Sequence, residues 1–144
     1  MALHPQLEKD CIALGEFRLC SLLLLNDASY PWFILLPNRD NLSEIFQLGE
    51  ADQKQLIAES SFFSALLKND LHADKVNVAA LGNMVPQLHI HHIARFKNDP
   101  SWPAPVWGAQ PAVPYTDEQR QQRITTLRPL LSATSAQPFR WYPQ

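Results

Sequence analysis

The chain has 144 residues, of which 46% are apolar and 18% charged, so it is long enough for one domain with a real core and too apolar for a disordered protein. Its formal net charge is −2, whereas a protein that binds long nucleic acids through their phosphates carries a basic surplus. We therefore expect no long nucleic-acid partner. A small phosphate-bearing ligand needs only a few hydrogen-bond donors, so the net charge does not exclude one.

The N-terminal residues and the cysteines indicate where the protein works. Residues 8–10 are all charged and follow no apolar stretch of signal-peptide length, and the apolar run 19–25 is too short to span a bilayer. Cys11 and Cys20 do not form a Cys-x-x-Cys pair and fit reduced thiols better than a disulfide framework. We therefore expect a cytoplasmic protein without a membrane partner.

The first half of the chain predicts a helix, a β-hairpin and two further helices. Apolar side chains recur at helical spacing near the N-terminus, and two strand-length apolar runs then follow with a polar turn between them. A pattern that resembles a capping box precedes the longest helical pattern of the chain. The predicted elements are a helix over 4–13, strands over 17–25 and 31–36, a short helix from Asn41 to about Gly49, and a helix over 50–68.

The second half predicts two more strands, an extended arm and a last helix. Residues 100–114 hold five prolines around Trp102 and Trp107, a composition that favours an ordered extended arm packed on the body. The predicted elements are strands over 75–81 and 88–94, the arm over 100–114, and a helix from Thr116 to about Pro129. This order predicts an α+β fold with an antiparallel sheet, in one domain over 1–144 with its core in 1–99 and the arm and helix in 100–144.

The segment from Gln87 to His91 carries the strongest chemical signal. In a regular strand, Gln87, His89 and His91 share one face at steps of about 6.5 Å, and Leu88 and Ile90 point to the core. An imidazole is a competent nucleophile toward phosphorus near neutral pH when one ring nitrogen is free and the other is held as a donor. A second imidazole one step away can hold a phosphate oxygen or protonate a leaving group.

The sequence Gln-Leu-His-Ile-His-His-Ile resembles the histidine-triad signature, His-φ-His-φ-His-φ-φ, where φ is apolar. The preceding Gly-Asn-x-Val-Pro and the following Trp- and Pro-rich stretch are similar to a bacterial branch of this superfamily, here with glutamine in place of the first histidine. The resemblance covers roughly residues 17–95. It implies a HIT-like antiparallel sheet of about five strands with packing helices, and a homodimer that joins two such sheets.

The resemblance also implies a reaction and the residues that carry it out. His89 would be the nucleophile on the α-phosphorus of a small nucleotide with a phosphoanhydride or phosphoramidate leaving group, and His91 would contact phosphate and assist the leaving group. Asn77 and Asn83 would contact phosphate, and Asp27 would hold the ribose hydroxyls. The implied protein is a nucleotide hydrolase or nucleotidyl transferase that needs no cofactor.

Three departures from the signature leave alternatives open. Gln87 forms hydrogen bonds but cannot relay a proton, His92 occupies an apolar position, and Asp40 stands where many relatives carry another histidine. A catalytically weakened nucleotide-binding module is therefore one alternative. A metal-binding protein that uses His89 and His91 is another, because His-x-His is a metal-ligand spacing on strands, although no third ligand is evident.

Several other residues leave two interpretations open. Arg95 and Lys97 either guide an anionic substrate to the end of the strand or form a solvated strand end. Asp27 either binds ribose or simply stabilises the turn. Trp102 and Trp107 either stack on a base or pack the arm onto the body, and packing is the favoured interpretation.

Overall fold

In the computed structural model, which describes residues 1–144, the chain forms a six-stranded antiparallel sheet flanked by helices. The sheet has the order β4-β5-β3-β2-β1-β6. Its strands are β1 (Cys11–Glu16), β2 (Cys20–Leu25), β3 (Trp32–Pro37), β4 (Lys75–Ala79), β5 (Ile90–Arg95) and β6 (Arg140–Trp141). The predicted α+β class and antiparallel sheet are confirmed, with six strands instead of about five.

The helices lie on both faces of the sheet. None of them combines the length and hydropathy that crossing a bilayer requires. They are α1 (Pro5–Asp10), α2 (Glu50–Ala65) and α3 (Asp117–Leu127), with 3-10 turns at Ile45–Gln47 and Arg128–Leu130 and a π turn at Leu66–Asp70. The short helix predicted from Asn41 is only one 3-10 turn, and at its start the backbone N–H of Glu44 donates to Oε1 of Gln47 at 3.1 Å. The capping box predicted at Thr116 and Gln119 does begin α3.

The single helix predicted over 4–13 is wrong in its last three residues. α1 ends at Asp10, and the next residues form β1, which pairs along its length with β2. Gly15 in β1 has no side chain, which allows β6 to pack closely against it, because a Cβ atom there would overlap the Arg140 carbonyl and the Phe139 ring. Local spacing favoured a helix, but pairing with residues far along the chain determines the observed structure.

The hairpin of β2 and β3 is confirmed and is buried on both faces. On one face, a core cluster of 21 residues fills the space between the sheet, α2 and α3, and Phe63 and Ile124 contribute to it from the helices. On the other face, Leu7 of α1 packs beside Leu23 and Ile34. Both strands are therefore continuous apolar runs, as expected for strands covered on two sides.

The arm after β5 covers the remaining part of the α1 face. Val106 packs in a cluster with Tyr30, Trp32 and Ile93. The chain then returns through α3 and β6, and residues from this last region, such as Phe139, complete the main core. The C-terminal 45 positions thus contribute to the packing of both sheet faces.

Candidate functional site

His89 and His91 line one cavity of about 630 Å³ on the sheet face that carries α1. His91 projects from β5, and His89 lies in the segment immediately before it. The walls come from α1, from β3, from the loop between β4 and β5, and from the arm through Trp107. The centroids of the two imidazole rings are 5.0 Å apart, so the two histidines are neighbours in the fold, as predicted.

His89 is held in one tautomer by the backbone carbonyl of Gln87. Its Nδ1 lies 2.6 Å from the carbonyl oxygen of Gln87. A carbonyl oxygen can only accept a hydrogen bond, so Nδ1 carries a proton, and in the neutral ring Nε2 keeps its lone pair. His89 is only 6% exposed and lines the cavity, which therefore receives an oriented imidazole with a free nitrogen.

His91 is held in the opposite tautomer by Trp32 of β3. The indole Nε1 donates a hydrogen bond of 2.9 Å to Nδ1 of His91, so the ring proton of neutral His91 lies on Nε2. Burial, with smaller contributions from the neighbouring His89 and His92, lowers the pKa of His91 from 6.5 to about 4. At neutral pH His91 is therefore an uncharged hydrogen-bond donor, and its ring centroid lies 5.0 Å from that of His89.

Gln87 contributes to the site through its backbone, and its side chain lies elsewhere. The strand begins at Ile90, so the regular alternation predicted for Gln87, His89 and His91 does not extend to Gln87. The Gln87 amide is hydrogen-bonded to the backbone of the N-terminal segment and does not line the histidine cavity. The carbonyl that orients His89 is present whichever side chain occupies position 87.

The three predicted substrate contacts lie in different places. Asn83 lines the cavity together with both histidines. Asn77 lies outside the lining, and its Oδ1 accepts a hydrogen bond of 3.1 Å from Arg95. Asp27 is 3% exposed and also lies outside the lining, where its Oδ1 accepts from the backbone N–H of Ser29 at 3.0 Å.

Sequence reasoning missed the contribution of α1 to this cavity. Gln6 and Asp10 both line it, and Asp10 is the only acidic residue that does so. Gln6 donates a hydrogen bond of 2.7 Å to the Asp10 carboxylate, which orients that carboxylate. The four-residue spacing of the pair is a local helix signal, but nothing local indicates that this helix packs beside His89 and His91.

Both interpretations of Arg95 were wrong, because its side chain is buried. It pairs with Asp99 at 2.8 Å, and the two side chains are only 2% and 5% exposed. Lys97 is exposed, as a solvated strand end requires. His92 faces α2, where its Nε2 lies 2.7 Å from Ser60 Oγ, so it lies on the opposite face from His91 as predicted.

The ligand set required by the metal-binding alternative does not assemble. No group of three or more histidine, cysteine, aspartate or glutamate side chains lies close enough to hold a metal ion. In addition, Nδ1 of each cavity histidine already has a hydrogen-bond partner, the Gln87 carbonyl for His89 and the Trp32 indole for His91. The donor set fits anion and phosphate chemistry better than metal coordination.

We expect the fold to lose stability as the pH falls from about 6.5 to about 4. Burial lowers the pKa of both His91 and His92 from 6.5 to about 4, so both stay neutral when folded and protonate when unfolded. The unfolded state then binds more protons, and the free energy of unfolding falls by up to about 1.4 kcal/mol per pH unit for each histidine. This stabilisation is complete above pH 6.5 and absent below pH 4.

Urea unfolding between about pH 7 and about pH 4.5 measures this effect, because histidines of the unfolded chain titrate near pH 6.5, within that range. A His92→Asn variant should show a shallower pH dependence, by about one proton, whatever its stability at neutral pH. Equal slopes for the variant and the wild type would contradict the assignment of His92 as a buried neutral imidazole.

Comparison with known proteins places this geometry in a family. A family model for the HIT domain matches residues 6–98. The chain is 51% identical to a histidine triad protein from Marinobacter aquaeolei VT8, with a TM-score of 0.87, and the match covers 90% of this chain and 94% of that one. It is 44% identical to a histidine triad protein from Bradyrhizobium japonicum, with a TM-score of 0.86 and coverage of 89% and 96%.

A third solved structure, a histidine triad (HIT) protein from Sinorhizobium meliloti 1021, is 42% identical, with a TM-score of 0.86 and coverage of 90% and 96%. No curated protein matches this chain. The family match spans the strands β1 to β5 and the segment that holds both cavity histidines. From this match and from the extent of the three structural similarities, it follows that the chain belongs to the HIT family of histidine triad proteins.

Proposed function

We propose that the protein is a nucleotide hydrolase or nucleotidyl transferase that acts at the α-phosphorus of a small nucleotide through His89. Members of the HIT family are typically nucleotide hydrolases or transferases, which supports this class of reaction. The observation that carries the proposal is the pair of opposite tautomers in one cavity, with Nε2 free on His89, an N–H donor on His91, and 5.0 Å between the two ring centroids. One nitrogen can attack while the other stabilises the charge that develops on phosphate.

In this mechanism the lone pair on Nε2 of His89 attacks the α-phosphorus, and the bond from phosphorus to the leaving group breaks. The leaving group departs with the electron pair, and a leaving amine takes up one proton from solvent. The imidazole gains positive charge, and the 2.6 Å hydrogen bond from Nδ1 to the Gln87 carbonyl strengthens as it does so. His91 donates from Nε2 to a phosphate oxygen. Water or an acceptor hydroxyl then attacks the nucleotidyl-histidine and restores neutral His89, with loss of one proton to solvent.

The other residues of the cavity suit a nucleotide. We assign a phosphate contact to Asn83 and the sugar hydroxyls to Asp10, the one carboxylate in the lining. The apolar part of the lining, such as Trp107, suits a base. Asp27 and Asn77 then do not contact the nucleotide. Asp27 stabilises its own loop, and Asn77 accepts a hydrogen bond from Arg95.

The alternative is a nucleotide-binding module with weakened catalysis. Binding and turnover, measured on one panel of nucleotides, distinguish such a module from an enzyme. The panel consists of AMP and GMP for calorimetry and the corresponding nucleoside 5′-phosphoramidates for amine release. We expect both binding and release. Binding without release across the panel would favour the module, and the absence of both would overturn the proposal.

We also propose that the protein is a cytoplasmic homodimer. β4 forms one edge of the sheet, and Val78, Leu81 and Met84 on and beside it are 48%, 49% and 91% exposed. Two-fold pairing along this edge would satisfy its outer backbone groups and cover these side chains. Sedimentation should then give a mass near twice 16.4 kDa, and a monomer at micromolar concentration would contradict the dimer.

The unpaired Cys11 and Cys20 support a reducing compartment.

A further inference from the structure

The N-terminal segment, residues 1–10, forms one wall of the histidine cavity. Gln6, Leu7 and Asp10 line that cavity from α1. Leu7 anchors the helix by packing, since it is 4% exposed and belongs to the small cluster on this face of the sheet. A six-residue helix has little stability of its own, so its position depends on the contacts that dock it.

Within residues 1–9 the polar docking contacts all come from the side chain of Gln87, whereas at the end of the segment the Asp10 carbonyl accepts a hydrogen bond of 2.9 Å from the backbone N–H of Asn26. Its Oε1 accepts a hydrogen bond of 2.8 Å from the backbone N–H of His4, and its Nε2 donates one of 3.1 Å to the carbonyl oxygen of Ala2. No other hydrogen bond joins residues 1–9 to a residue beyond α1. Both ends of one primary amide are thus used on the same backbone stretch, as in the pairing of two strands.

We propose that Gln87 is a positioning residue whose side-chain amide holds the N-terminal segment in place as a wall of the nucleotide cavity. This inference rests on the proposed function. It assigns substrate affinity, and no part in proton transfer, to the side chain that replaces the first histidine of the triad. The chemical step is separate, because it uses the Gln87 carbonyl, which every substitution at this position retains.

A Gln87→Glu variant tests this assignment with little change in shape. Its carboxylate still accepts from the His4 N–H, but it loses the bond to the Ala2 carbonyl and places a negative charge against that oxygen. We expect KM for a nucleoside phosphoramidate to rise about tenfold and kcat to change by less than about threefold, as for loss of a hydrogen bond that does not change in the transition state. Gln121→Glu, on the exposed face of α3, is the matched control and should leave both constants unchanged.

A pair of variants at His4 tests the other end of the contact. His4 has φ −55°, which suits proline, so His4→Pro removes the N–H donor without changing the backbone conformation. His4→Ala retains that N–H and, like the proline variant, loses the side-chain cap on Gln6 N. We expect KM for His4→Pro to exceed that for His4→Ala about fivefold, and the two variants to be equal when Gln87 is replaced by leucine.

Hydrogen exchange of the full chain without nucleotide provides a second readout. Amides of α1 should exchange faster in Gln87→Glu than in the wild type and the Gln121→Glu control. A fall in kcat at unchanged KM would overturn the assignment and give the amide a part in the chemistry, and unchanged exchange would show that Gln87 does not hold the segment. If the wild type itself lacks turnover, the proposed function fails, and the exchange result still decides whether Gln87 docks the N-terminal segment.

Discussion

Replacement of His89 with asparagine should lower kcat for a nucleoside phosphoramidate by roughly 10⁴-fold or more, because the covalent route loses its nucleophile. Asparagine keeps a polar group near the Gln87 carbonyl, which its side-chain amide can still donate to. The fold should therefore survive, and nucleotide binding should change much less than turnover. Steady-state amine release and calorimetry on the same preparation separate these two effects.

His72→Asn is the matched control for this substitution. His72 is exposed and has φ 61°, a conformation that asparagine tolerates well, so the control changes a histidine to asparagine far from the cavity. We expect wild-type turnover from it. Turnover within about tenfold of wild type in the His89 variant would remove His89 as the nucleophile.

Loss of the Asp99 carboxylate should produce the largest change in stability, about 3–5 kcal/mol for Asp99→Ala, because Arg95 would be left buried and unpaired. Besides the ion pair, the carboxylate accepts hydrogen bonds from the backbone N–H groups of Phe96, Ser101 and Trp102. Burial alone would raise the pKa of Asp99, but the hydrogen bonds from Arg95 and from the backbone amides of Phe96 and Ser101 lower it to about 2. The carboxylate is therefore charged throughout the neutral range.

The chain contains an exposed pair of the same chemistry that serves as the control. Arg39 and Asp52 also form a two-point contact, at 2.7 and 3.1 Å, but their side chains are 48% and 28% exposed. Asp52→Ala should cost less than about 1 kcal/mol in the same urea titration. Equal losses for the two variants would contradict the view that burial makes the Asp99 pair important.

The Asp99 variant also tests the link between the arm and the site. Asp99 fixes the start of the arm, and Trp107 later in the arm lies edge-on to His91 with 5.2 Å between ring centroids. Loosening of the arm should increase the solvent exposure of Trp107. The variant should therefore have weaker nucleotide binding than Asp52→Ala, at temperatures where both are folded.

Much of the fold could be predicted from local patterns. The β2–β3 hairpin follows from two apolar runs around a turn, and the start of α3 follows from its capping box. His89 and His91 lie side by side because they are two residues apart in an extended segment. In each case the residues that determine the structure lie within a few positions of one another.

The errors concern contacts between distant parts of the chain. β1 has a helical apolar spacing but is held by β2, and β6 is a two-residue strand that pairs with residues more than 120 positions away. The Gln87 side chain meets residues 83 to 85 positions earlier, and no local pattern indicates such a pairing. That Asp10 lines the cavity, which the sequence did not indicate, likewise depends on how α1 docks.

Intact-protein mass spectrometry tests most directly whether His89 forms a covalent bond to the α-phosphorus. The protein is mixed rapidly with a nucleoside phosphoramidate, quenched in alkaline denaturant and digested to map any adduct. We predict a transient mass increase of one nucleoside monophosphate less water, located on His89 and absent from His89→Asn. Product formation with no adduct at any time, or an adduct on another residue, would contradict the account.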